Sequence, residues 1–135
     1  MKRPLLTLKV APSFQDGFVL TLMEDVGKNS SSYVLRYEEI KLRSSRDVGP
    51  APSATEDSKV TVDEACSILQ LLAQASIAVA PAYTLGLDGI GFQLEVMRGL
   101  NTGHYHWWQT IPEGWEALAT ISNALLRLAG KPELS

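Results

Sequence analysis

One cysteine in 135 residues, Cys66, leaves the chain without an internal disulfide, although a secreted domain of this size commonly carries at least one pair. A reducing cytoplasm is therefore the expected compartment. Histidine is almost as scarce. With only His104 and His106, no Ser-His-Asp spacing and no nucleophile elbow, acyl-transfer catalysis has no motif to stand on. Charge of one sign is also lacking, because 12 basic residues against 15 acidic ones give a net charge of -3. That is too mild for a nucleic-acid footprint and too mild for an acidic disordered tail.

Long hydrophobic runs are missing as well. The most apolar stretch, residues 69–82, is interrupted by Gln70, Gln74, Ser76 and Pro81 and is too short and broken to cross a bilayer. Residues 1–10 open with charges as an export signal does, but Thr7 and Lys9 break the apolar run, so the segment reads as a strand. Gly86, Gly89 and Gly91 neither follow the spacing of a phosphate-binding loop nor open a helix. No cofactor, nucleic acid or membrane is implied.

Tryptophan, by contrast, is concentrated. Trp107, Trp108 and Trp115 all fall within nine residues. Such a cluster marks the keystone of a small core or the anchor of a binding surface, because each indole carries a large apolar ring and one N–H that needs a partner.

The length fits one domain, residues 1–135, able to bury its own core. Leu6, Leu8 and Val10 alternate with polar residues, and after turn signals at Pro12-Ser13 and Asp16-Gly17 the alternation resumes in Phe18, Leu20 and Leu22, as in a hairpin. A turn at residues 27–30 leads to Tyr33, Leu35 and Tyr37. The apolar phase then slips to Ile40 and Leu42, which predicts a bulge near Glu38-Glu39. Residues 43–59 have almost no large apolar side chain and read as a flexible loop.

Thr61 and Glu64 have capping-box spacing, so a helix is expected there, with Val62, Ala65, Cys66, Leu69, Leu72 and Ala73 on an apolar stripe that Ile68 and Leu71 widen. Tyr83, Leu85 and Leu87, a turn at Asp88-Gly89, and Phe92, Leu94 and Val96 form a second hairpin pattern. A turn over 99–103 precedes a third strand. Thr110 and Glu113 repeat the capping spacing before a last helix, which places Trp115, Leu118, Ala119, Ser122, Leu125, Leu126 and Ala129 inward and is stopped by Gly130 and Pro132. The expected fold is α+β and two-layered: about six largely antiparallel strands in the order βββαβββα, with both helices on one face.

Leu87-Asp88-Gly89, Phe92, Leu94, Asn101, Tyr105, Trp107-Trp108, Pro112, Trp115 and Leu118 together form a pattern of L-D-G, aromatic-x-L, a turn, WW and P-x-x-W-x-x-L. This pattern resembles a group of small, mostly uncharacterised bacterial proteins, some of them candidate immunity proteins that bind and block a toxin. The resemblance covers about a quarter of the chain and departs from the group at Ile90-Gly91, where a small polar residue is more usual. It implies a toxin-like protein partner and carries over no catalytic residue.

Adjacent residues of a strand point to opposite faces, so Trp107 and Trp108 are expected to part company. If Tyr105 and Trp107 pack inward, Trp108 lies outward with His104, His106, Gln93 and Glu95, the composition of a binding surface. These five are the candidate binding residues. Asp88 is read as turn chemistry before Gly89 rather than as half of a carboxylate pair. The reading is a non-enzymatic, cytoplasmic protein-binding protein of immunity type. Two alternatives stay open: a small metal-dependent enzyme or metal-binding protein using His104 and His106, with Glu95 or Cys66 as a third ligand, and a structural subunit of an oligomeric assembly.

Overall fold

The computed structural model describes residues 1–41, 54–81 and 89–134. Their α+β fold is a six-stranded antiparallel sheet with two helices. The strands are β1 (Lys2–Pro12), β2 (Gly17–Val26), β3 (Ser31–Ile40), β4 (Thr55–Val60), β5 (Ile90–Arg98) and β6 (Asn101–Trp108). The helices are α1 (Val62–Gln74), between β4 and β5, and α2 (Glu116–Leu128), after β6. Across the sheet the order is β4-β3-β2-β1-β5-β6, so the first strand of the chain sits in the middle.

Register explains the core. Leu8 lies between Leu20 of β2 and Leu94 of β5, Leu6 is opposite Leu22, and Leu22 is opposite Leu35. Because side chains alternate across a strand, this register gathers the leucines on one face. Leu6, Leu8, Leu20, Leu22 and Leu94 are fully buried there with Ile121, Leu125 and Leu126 of α2 and Ala65 and Ile68 of α1. Each such side chain contributes about 1.5 to 3 kcal/mol on burial. Ser122, also buried in α2, donates its hydroxyl to the Leu118 carbonyl at 2.8 Å and so brings no unsatisfied group into the core.

Several expectations need correction. No bulge interrupts β3, which stays in register with β2 as far as Ile40 opposite Gly17. Ile40 is a half-buried apolar residue on the outer face, and an apolar residue on the wrong face imitates a phase slip. The irregularity lies instead in β1, between Pro4 and Leu6. Of the segment expected to be a loop, Thr55–Lys59 belongs to the edge strand β4, Ala54 precedes it, and residues 43–53 lie outside the described residues. The expected strand Tyr83–Leu87, together with Asp88, also lies outside them. The turn before β6 is only Gly99-Leu100, since Arg98 already pairs with Asn101.

The capping box of α1 forms: Glu64 donates its backbone N–H to Thr61 Oγ1 at 3.1 Å, and Thr61 donates its own to Glu64 Oε1 at 3.0 Å. Its core-facing stripe is narrower than the expected one, and Leu71 and Leu72 pack against its edge. Ala65 and Ile68 face the core, whereas Val62, Cys66 and Ala73 are exposed. Thr110–Glu113 does not cap α2. Gly114 takes φ 96° beneath Ala78, a conformation no helix tolerates, and α2 begins at Glu116 after Trp115. Ile121 joins the inward stripe and Ala119 is only half-buried. Gly130, at φ 69°, ends the helix as expected.

The face away from the helices is not flat. Lys2 lies on it and reaches Asp57 of β4 at 3.3 Å, although β1 and β4 are three strand spacings apart, roughly 14 Å in a flat sheet. The outer face therefore curls at this corner, and Leu5 and Met23 are buried outside the main core. Arg36 grips the same carboxylate with two nitrogens, at 2.8 and 3.0 Å. Hydrogen bonding from Arg36 holds the Asp57 carboxyl at about 2, below its ordinary value of 3.8. A depressed folded-state pKa favours the charged, folded form, so this contribution is present above 3.8 and lost as pH falls through about 2. Asp57→Asn should accordingly be less stable than the parent at pH 7. The gap in thermal midpoint should close on acidification from pH 4 to pH 2, which a melting series across that window would show.

Candidate binding face

Trp107 and Trp108 end β6 on opposite sides of the sheet. Trp107 points inward, where it is 6% exposed and stacks on Phe92 with ring centroids 5.5 Å apart and planes inclined by 20°. Trp108 points outward and is half-buried. Its register partner is Gly91, and a Cβ added there would stand 3.5 Å from the indole, so the ring lies flat over bare backbone.

The strand end beneath Trp108 is tightly held. Gln109 adopts φ 63°, an uncommon conformation for a residue with a side chain. Its backbone N–H donates to the Ile90 carbonyl at 2.7 Å, its side-chain oxygen accepts from the Ile90 N–H at 2.9 Å, and Thr110 donates to the Trp108 carbonyl at 2.7 Å. Gly89, at φ 139°, leaves the room that the Gln109 side chain and Trp108 Nε1 occupy. Its carbonyl accepts from both the N–H and the hydroxyl of Ser13, tying the β1–β2 turn to the same corner. The corner that carries the outward indole is therefore tied together by three chain segments rather than being a free loop.

The other candidates share its face. Glu95 is opposite His104, and Gln93 is opposite His106. His104 Nδ1 is 3.7 Å from Glu95 Oε2, so a proton on that imidazole converts the contact into an ion pair. Lys9 of β1 pairs with Gln93 and extends the row, a residue that sequence reasoning missed because β1 and β5 are neighbours only in space. Beside Trp108 lies a cleft of about 500 Å³ whose lining includes the apolar Ala11, Pro81 and Pro112 and the polar Lys9, Gln93 and His106. An apolar floor with a few polar groups at its margin is the usual composition of a recognition surface.

Cys66 stands on α1, in the helix layer, and is exposed there rather than buried. It lies on the opposite side of the sheet from the histidines and cannot serve as their third ligand. Among the described residues no three His, Cys, Asp or Glu side chains converge as a metal site. No helix among them is long and apolar enough to cross a membrane.

No family model matches the chain, and neither a curated protein nor a solved structure matches it.

Proposed function

We propose that the chain is a non-enzymatic, cytoplasmic protein-binding protein of immunity type, which blocks a toxin-like partner by covering its working surface. The observation that carries the reading is the placement of Trp108: a large ring on the outer face of a rigid sheet, seated over Gly91 and rimmed by Gln93, Glu95, His104 and His106. Binding hot spots favour such rings, because a fixed aromatic buries much area while losing little side-chain entropy. The polar rim suits it to a partner's polar surface, and the lone cysteine agrees with a reducing compartment.

The test pairs the chain with the product of the gene beside its own. Trp108→Ala should weaken that complex about 30-fold or more, as loss of a hot spot worth about 2 kcal/mol does, while leaving the circular dichroism spectrum and cooperative unfolding intact. Undiminished affinity in a folded Trp108→Ala protein would remove this face from the mechanism. An unfolded variant would assign the ring to the scaffold instead.

A further inference from the structure

Lys9, Gln93 and His106 stand side by side in one row across β1, β5 and β6, and all three line the cleft of about 500 Å³ beside Trp108. None of them is spent within the fold. Among the described residues Lys9 meets no carboxylate within ion-pair distance, and neither the Gln93 amide nor the His106 imidazole makes a side-chain hydrogen bond. The acidic groups nearby are placed elsewhere. Glu95 faces His104 at 3.7 Å, Asp57 is held by Arg36 and Lys2, and Val19 stands between Lys9 and Glu38 in the register. No Asp or Glu of the described residues lines the cleft. Its polar lining therefore offers a positive charge and hydrogen-bond donors, an ammonium beside an amide and an imidazole.

The rest of the lining is apolar. Ala11, Gly91 and Trp108 form the next row, two residues and about 7 Å along the strands, and Pro81 and Pro112 add apolar surface from the connections outside the sheet. A cleft of this size admits a small organic molecule. We infer that it binds a small organic carboxylate carrying a ring on a short stem, of the arylpropionate kind. The carboxylate accepts from Lys9 Nζ, Gln93 Nε2 and the His106 imidazole, and the ring lies against Ala11, Pro81 and Pro112. One ammonium balances one negative charge. A phosphate dianion would bring more charge than the row offers and no apolar body for the remaining lining. The chain carries a net charge of -3, so attraction for an anion is local to this row rather than general. Carboxylate binding here needs no protein partner, and the row rather than the Trp108 indole sets it.

Phenylpropionate, titrated against the protein and followed by backbone amide chemical shifts, should bind with millimolar affinity or better and move the signals of Ala11, Gln93 and His106. Its neutral analogue phenylpropanamide should bind about tenfold more weakly, as loss of one charge-assisted hydrogen bond does. Acetate and inorganic phosphate, at the same concentration, should leave these signals in place. Lys9→Gln should lower affinity for phenylpropionate about tenfold and remove its advantage over the neutral analogue, whereas Lys9→Arg should keep both. Lys9 is exposed, so neither change disturbs the fold. Ala11→Leu fills the apolar end and should weaken both compounds alike. No shift in this row, equal binding of the neutral analogue, an unchanged affinity in Lys9→Gln, or the same shifts with acetate alone, which would mark a surface anion site only, would each overturn the proposal.

Discussion

Trp107→Ala is expected to lose about 3 to 5 kcal/mol of stability, the range for truncating a large buried aromatic ring, and Trp107→Phe is expected to recover most of it. The contrast rests on the indole nitrogen. Trp107 is stacked on Phe92 and sealed from water, and its Nε1 hydrogen finds no acceptor among the described residues. A buried donor left unmade costs about 1 to 3 kcal/mol. Phenylalanine keeps the stacking partner and removes the orphan donor, so part of the lost area is offset. Urea denaturation with an unchanged slope would measure both values. A Trp107→Phe protein as unstable as Trp107→Ala would show that ring size, not the stranded N–H, dominates this site.

Trp115→Ala should cost about 2 to 4 kcal/mol, nearer the lower part of the large-aromatic range because the ring is only half-buried. This tryptophan works differently from its neighbour. Its Nε1 donates to the Ala78 carbonyl at 2.8 Å, and its ring meets Tyr105 edge-on at 5.7 Å and 87°. Ala78 in turn donates its own N–H to the Gly114 carbonyl at 3.0 Å. The indole thus latches the segment after α1 to the turn before α2. Trp115→Phe removes the hydrogen bond alone and should cost about 1 kcal/mol. Exchange of the Ala78 amide should accelerate in both variants, and an Ala78 amide that stayed protected in Trp115→Ala would break the link between the ring and that segment.

The sheet was readable wherever period-two alternation met a turn signal, as in Leu6, Leu8 and Val10 with Leu20 and Leu22. Opposite placement of Trp107 and Trp108 followed from strand geometry alone, and the grouping of Gln93, Glu95, His104 and His106 on one face followed with it. The strand β4 was hidden because Thr55–Val60 is an edge strand with only Val60 buried, so it shows no apolar period to find. The α1 stripe was drawn too wide because Val62, Cys66 and Ala73 are apolar residues on the solvent side, and a list of apolar positions does not say how much of it the sheet will cover. The start of α2 was lost to Gly114, whose positive φ depends on the approach of Ala78 from far along the chain. The place of Lys9 on this face depends on the β1–β5 pairing, which no local pattern encodes.

The central position of β1 has a consequence for how the molecule comes into being. Its partner on one side, β2, follows within a few residues, but its partner on the other, β5, begins only at Ile90. During synthesis the earliest strand therefore waits half-finished, with an open border and the apolar row Leu6, Leu8 and Val10, until most of the polypeptide has emerged. Contacts between distant residues slow the search for the native state, and an unpaired border exposed meanwhile favours aggregation. A ribosome stalled before β5 would release a product whose middle strand is sticky, whereas one stalled after it would release a sheet already closed at its centre.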